Sequence, residues 1–365
     1  MMERLFVYIG TYTQGNSQSE GIYVYQFDPS TGSLSPVSTV KGIENPSFLK
    51  VSPKGGFLYA VSEVFEAQGK PGGELRAYSI DRQNGALSHL NSQSTHGACP
   101  CHVNVDQAEQ YAMVSNYMGG NIAILPLKKD GSLRPASDVV QHRGCSNVNP
   151  ERQEGPHAHS VTMSPDNKFV IAADLGQDML RTYKLDIEEG KLLSVEENRV
   201  LTTPGAGPRH MDFHPDGRYV FLVNELENSI ISYKYHKETG ALKMLSTVST
   251  LPDEFQGESI AADIHVHPNG KFLYASNRGH DSLVIFSIDE NTGELKVLGF
   301  QSTRGEHPRN FCIDPGGSFL LAANKDSNNI VTFEIDKATG FLWPKGQAVH
   351  VPQPVCLAFL ELDIN

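Results

Sequence analysis

Apolar and polar residues alternate along this chain in short runs. Ile22-Tyr-Val-Tyr-Gln-Phe27 and Leu283-Val-Ile-Phe-Ser-Ile288 are two of the clearest. Successive side chains of a strand point to opposite faces, so this period-two pattern predicts β-strands. No long stretch carries a helical period. Between the runs lie Pro/Asp/Gly clusters that predict tight turns.

The runs repeat. A hairpin signature reads Val51-Ser-Pro-Lys-Gly-Gly-Phe-Leu-Tyr-Ala60, then Met163-Ser-Pro-Asp-Asn-Lys-Phe-Val-Ile-Ala172, then Phe213-His-Pro-Asp-Gly-Arg-Tyr-Val-Phe-Leu222. Further copies run over 266–275 and 313–322, with a degenerate one over 105–114. A second signature, Asp-x-x-x-Gly-x-Leu, follows each hairpin. It is intact at Asp28, Asp81, Asp186, Asp289 and Asp336, has His236 in place of the Asp once, and is worn down to Gly131-Ser-Leu133 once. Its glycines, at 32, 85, 131, 190, 240, 293 and 340, step by about 51 residues, close to the spacing of propeller blades. The Asp can accept bonds from nearby backbone N–H groups, and Gly supplies the positive φ that ends the turn.

Four antiparallel strands per repeat and seven repeats predict one all-β domain over residues 1–365, a seven-bladed β-propeller. The chain starts in a second strand, Leu5 to Gly10, and ends with Pro354-Val-Cys-Leu-Ala-Phe359, which looks like a first strand. The C-terminal strand is therefore expected to complete the N-terminal blade and remove an exposed sheet edge.

Composition changes the picture mainly by exclusion. Lys+Arg total 30 against 42 Asp+Glu, a formal charge of −12. That argues against nucleic acid and against anionic membranes as partners. Five cysteines in no regular framework, with Cys99 and Cys101 flanking Pro100, read as reduced thiols. With no secretory pattern at the N-terminus and no long apolar stretch, a cytoplasmic protein is expected, monomeric or weakly dimeric.

Candidate chemistry comes from projecting the repeats onto the channel. The first strand of each blade lies nearest the axis, so its start and the end of the second strand share one mouth. The first set is Ser47, Cys101, His159, Arg209, Ala262, Arg309 and Val355. The second is Thr11, Glu63, Tyr117, Leu175, Glu225, Arg278 and Lys325. Repeats alone would put small or apolar residues there. Three arginines, a lysine and a histidine instead predict a cationic pocket with embedded carboxylates, suited to a small anion. Asn116, Asp174, Asn224, Asn277 and Asn324 precede the second set and are read as strand-end caps. His157 and His159 are spaced like a metal-ligand pair, with His102, His210 and Asp263 as further candidates one residue out of register, but no metal or other cofactor is expected. Cys101 and Ser47 lack the surroundings of a nucleophile. The loops 65–73, 143–156 and 252–258 are longer than their equivalents and are lid candidates.

The opening Tyr8-Ile-Gly-Thr-Tyr12, the Ser-Pro-Asp-Gly hairpins and Gly207-Pro-Arg-His210 resemble the seven-bladed lactonase propeller family over essentially the whole chain. That family includes 6-phosphogluconolactonases and a 3-carboxy-cis,cis-muconate lactonizing enzyme. The resemblance implies His159, Arg209, Glu225 and Arg278 as catalytic residues, the same four that the projection favours. It implies hydrolysis of 6-phospho-D-glucono-1,5-lactone, with His159 or Glu225 as general base and Arg209 and Arg278 stabilising the oxyanion. Arg309 and Lys325 would bind the phosphate and Glu63 and Tyr117 the sugar hydroxyls, with His157 a further substrate-binding residue. A carboxymuconate-type cyclase and a non-catalytic scaffold are the alternatives.

Overall fold

The computed structural model describes residues 4–362. Seven four-stranded antiparallel blades follow one another around an axis, as the repeats predict. Blade 1 holds Arg4–Thr11, Gly21–Asp28 and Ser33–Lys41, with Pro354–Leu362 as its innermost strand. Blade 2 is Leu49–Val51, Phe57–Ser62, Glu74–Ile80 and Leu87–Ser94. Blade 3 is Pro100–Val105, Tyr111–Asn116, Asn121–Pro126 and Asp138–Gln141. Blade 4 is Ala158–Met163, Phe169–Asp174, Met179–Asp186 and Lys191–Ser194, extended by Val200–Leu201. Blades 5, 6 and 7 begin with Pro208–Phe213, Ile260–Val266 and Pro308–Ile313. The closing strand pairs from Arg4↔Leu362 to Thr11↔Pro354, so the first and last segments of the described chain form one ladder.

The core lies between blades. Blades 5 and 6 illustrate it, Phe221 and Val223 packing with Ile264, Leu273 and Phe286. The Asp-x-x-x-Gly turn contributes in two ways. Its Asp side chain accepts from the backbone two residues on, as at Asp28 (Ser30 N, 2.8 Å) and Asp81 (Gln83 N, 2.7 Å). Its Gly, at positive φ in all seven copies, lies flat against an aromatic ring at the start of the preceding blade's second strand. Gly85 meets Phe6, Gly190 meets Tyr111, Gly240 meets Phe169 and Gly293 meets Tyr219. A Cβ at Gly240 would stand 2.6 Å from the Phe169 ring. The glycine is therefore required twice, by its backbone and by its neighbour.

One feature of the first strands positions the site. In blades 3, 4, 5 and 7 the pairing with the second strand skips one residue near the start. Pro208 pairs with Asn224 and His210 with Val223, which leaves Arg209 bulged out. The same skip frees Cys101, His159 and Arg309, and in blade 1 it frees Val355. In blade 6 it spans Ala262 and Asp263. A bulge re-aims one side chain while the rest of the ladder keeps its register. Here it turns a ring of first-strand residues toward one mouth of the channel.

Candidate active site

Just past each second strand, one backbone N–H donates to a carbonyl two residues before the bulge. Glu225 N bonds Gly207 O at 2.7 Å, Tyr117 N bonds Cys99 O at 2.9 Å and Lys325 N bonds His307 O at 3.0 Å. These bonds fix the second set of mouth residues beside the first. In blade 1 the equivalent bond is Tyr12 N to Gln353 O, 3.2 Å. The ring member there is therefore Tyr12, not Thr11. Thr11 takes the strand-end position, donating to Gly21 O at 2.7 Å. The error has a plain origin: blade 1 has no first strand beside it in sequence to set the alignment. The strand-end asparagines do tie strands together, Asn116 bonding Thr95 O and Asn277 bonding Thr250 O.

Glu225 is the centre of the mouth. Its Oε2 takes Arg209 Nε at 2.9 Å and Arg278 Nη2 at 3.1 Å, and lies 3.5 Å from His159 Nε2. Its Oε1 takes Arg152 Nη2 at 2.6 Å. Arg209 also donates to Ala262 O, and Arg278 to Ala261 O at 2.7 Å. All four of the expected catalytic residues are thus brought together, and all four are buried.

Three guanidiniums on one carboxylate set the electrostatics. Burial alone would raise the Glu225 carboxyl, but Arg278, Arg209, His159 and Arg152 hold it well below the ordinary range, so it stays ionised. Burial, helped by Arg209, drives the His159 imidazole well below 6.5 against the pull of Glu225, so it is neutral at pH 7. Burial brings Arg278 down to about 9, still protonated at neutral pH. The Cys101 thiol is pushed up to about 12 by burial and Glu63, which leaves it a neutral donor to His159 O at 3.2 Å rather than a nucleophile.

The other expected residues are more dispersed. Tyr12 donates to Glu63 at 3.1 Å, and the Arg309 guanidinium stacks over the Tyr12 ring at 5.4 Å. Lys325 has its own counterion, Asp326, at 2.7 Å. His157 stacks on Tyr117 with ring centres 4.5 Å apart, and its nitrogens face Tyr117 O and Glu154. His157 and His159 therefore do not converge as ligands. The bulge at His159 breaks the two-residue period that the pairing assumed. Among the described residues no group of three or more His, Cys, Asp or Glu is arranged to hold a metal ion.

The residues out of register face down the channel. His102 and His210 pack with Phe48 at ring distances of 4.2 to 5.7 Å. Beneath them a cavity of about 290 Å³ is lined in part by Lys50, Asp212, Asp263 and His265. Asp263 joins the two levels: His210 Nδ1 lies 2.8 Å from Oδ1 and His265 Nε2 3.0 Å from Oδ2.

Sequence reasoning missed Arg152 and Tyr12. Tyr12 was visible in the repeat, one position along. Arg152 lies in the 143–156 insertion, which has no counterpart in other blades, so no alignment of repeats could place it. That segment is not a loose flap. Gln153 is fully buried and donates to Leu175 O and Asp178 Oδ1, both at 2.8 Å. The 65–73 loop folds as a small hairpin, Glu66–Ala67 against Lys70–Pro71.

Known proteins share this architecture along its whole length. The family model "Lactonase, 7-bladed beta-propeller" matches residues 6–359. A 6-phosphogluconolactonase of Bacillus subtilis is 39% identical over 360 residues, 99% of each chain. A 6-phosphogluconolactonase of Formosa agariphila is 37% identical over 84% of this chain and 86% of its own. The solved structure of a periplasmic gluconolactonase from Pseudomonas aeruginosa is 35% identical, with a TM-score of 0.92 over 99% of this chain and 100% of that one. With the seven blades closed by their last strand, these matches show that the chain belongs to the seven-bladed β-propeller lactonase family.

Proposed function

We propose that this protein hydrolyses 6-phospho-D-glucono-1,5-lactone to 6-phosphogluconate at the Glu225 mouth. The observation that carries the reading is the His159 imidazole 3.5 Å from a carboxylate that three arginines surround. A lactone carbonyl is already activated, so water can attack it without a covalent enzyme intermediate. In this reading His159 takes the proton from water, and the imidazolium that forms is held against Glu225. Glu225 itself is a weak base, because the arginines that keep it ionised also lower its proton affinity. Its role is to orient His159, Arg209 and Arg278.

Negative charge develops on the lactone carbonyl oxygen during attack. Arg209 and Arg278 are fixed beside it and need no reorganisation to meet it. Arg278 Nε has no hydrogen-bond partner among the described residues and is buried, so it is a donor in reserve. Arg309 and Lys325 are substrate-binding cations on the wall beyond Arg278. Glu63, Tyr117 and His157 bind substrate around the remaining rim, with hydroxyl and ring faces suited to a sugar. No step calls for a metal or an organic cofactor. A cytoplasmic location is supported by the five unpaired cysteines, although the Pseudomonas relative is described as periplasmic. Among the described residues no helix is long and apolar enough to cross a membrane.

Purified His159→Asn and Glu225→Gln variants test the reading. Loss of the base is expected to lower kcat by about 10²–10⁴-fold. Glu225→Gln removes the counterion of three arginines and is expected to reduce both kcat and thermal stability. Full lactonase turnover in both variants would place the chemistry elsewhere.

A further inference from the structure

We propose that Arg152 reads the phosphate of the substrate and, by leaving Glu225 to do so, sets the preference for a phosphorylated over an unphosphorylated lactone. This rests on the lactonase reading of the mouth and adds the determinant of its substrate class. The relatives make the question real, since they include both 6-phosphogluconolactonases and a gluconolactonase.

The first support is position. Six of the seven second-strand positions around the mouth carry polar or charged side chains: Tyr12, Glu63, Tyr117, Glu225, Arg278 and Lys325. Blade 4 has Leu175. The 143–156 insertion docks on that residue, Gln153 holding the Leu175 carbonyl, and Arg152 then spans from Tyr117 Oη (3.2 Å) to Glu225 (2.6 Å) across the apolar gap. The insertion thus supplies the polar group that blade 4 lacks.

Charge is the second support. Glu225 carries one negative charge against three guanidiniums, so the cluster has two positive charges in excess. Arg209 and Arg278 are deeply buried and also bound to backbone carbonyls, which leaves them nowhere to go. Arg152 is different: its side chain is 35% exposed, while Glu225 is 2% exposed. If it swings away, Glu225 keeps Arg209 and Arg278, so the move strands no buried charge. A phosphate dianion arriving at the rim offers Arg152 two negative charges and a bidentate geometry in exchange for a shared carboxylate. Among the described residues neither Arg309 nor Lys325 is ion-paired to Glu225. Arg309 faces Tyr12 and Glu63, which hold its pKa up against burial, and Lys325 is paired with Asp326.

Mobility is the third. The base of the insertion is fixed by Gln153, by Ser146 N to Gly176 O (2.8 Å) and by Asp178, whose carboxylate also takes Gly207 N at 2.8 Å. Only the Arg152 side chain need move, a change of rotamer rather than of backbone.

The test compares wild type, Arg152→Ala and Arg152→Lys on 6-phosphoglucono-δ-lactone and on glucono-δ-lactone. Arg152→Ala is expected to lose about 30-fold in kcat/KM on the phosphorylated lactone, mainly through KM. On the unphosphorylated lactone its kcat/KM is expected to rise a few-fold (about 2–5), because a competitor for Glu225 is gone. Arg152→Lys should keep part of the preference. Equal losses on both lactones, or an intact phosphate preference in Arg152→Ala, would overturn the proposal while leaving the lactonase reading in place. Calorimetric titration with 6-phosphogluconate and gluconate gives a readout free of turnover. Wild type should bind the phosphorylated acid more tightly, and Arg152→Ala should bind both alike. A wild-type enzyme that hydrolyses neither lactone would overturn the lactonase reading, and the titration would then decide Arg152 by itself.

Discussion

At the scale of single residues, the mouth lowers the proton affinity of both its carboxylate and its imidazole, by different means. Glu225 is kept charged where burial alone would neutralise it, and His159 is kept neutral where its carboxylate neighbour alone would charge it. The sign of the pH dependence follows. Protonation of His159 removes the base, and its pKa in the folded protein lies well below 6.5. Activity that depends on its neutral form is therefore retained as pH falls through 6.5 and is lost only when pH passes the depressed value. A kcat/KM profile measured from pH 8 downward, corrected for spontaneous lactone opening, should be flat past 6.5. Half-loss near 6.5 would mean that an ordinary, solvated imidazole is the base. These residues were legible in sequence because each sits at a fixed offset from a hairpin signature. Arg152 was not, since an insertion has no repeat to be aligned with and its contact to Glu225 spans 73 positions.

Among structural elements, the Gly-x-Leu turn does more than reverse the chain. Its glycine is the surface on which an aromatic ring of the preceding blade lies, and a tyrosine two positions beyond that ring can bond the glycine carbonyl. Tyr8 bonds Gly85 O at 2.9 Å and Tyr274 bonds Gly340 O at 2.8 Å. Gly240→Ala combines a strained positive φ with a contact 2.6 Å from the Phe169 ring, and is expected to cost about 1–3 kcal/mol. Chemical denaturation checks this, with activity per folded molecule unchanged because the turn lies at the opposite end of strand Ser229–His236 from Asn224 and the mouth. The turn itself was predictable from Asp and Gly chemistry, but the ring it rests on belongs to another blade and became visible only with the ring closed. The bulges have the same character. Alignment found the residues they expose, and only the ladder shows that a skipped pairing is what exposes them.

The whole molecule depends on its closure. Residues 354–362 pair along the full length of Arg4–Thr11, with Leu360, Leu362 and Cys356 packing against Tyr8, Val24 and Leu58. A chain ending at Gln353 would leave that strand with an open edge and an uncovered apolar face. It is expected to have a clearly lower Tm than the full chain and to self-associate, as read by scanning calorimetry and light scattering. An equally stable, monodisperse truncation would show that the ring does not need this ladder.

The fold class, the number of blades, the shared first blade and four central residues of the mouth follow from the chain alone. Strand alternation and turn chemistry are local, and a local pattern repeated seven times reports its own symmetry. Departures from that symmetry belong to the tertiary structure. Tyr12 takes the place in the ring that Thr11 seemed to hold, because blade 1 is assembled from both ends of the chain. His157 turns onto Tyr117 because a bulge interrupts the strand period. Arg152 closes the gap over Leu175 because a docked insertion carries it there. In each case the deciding contact joins residues far apart in sequence, and no periodicity along the chain encodes it.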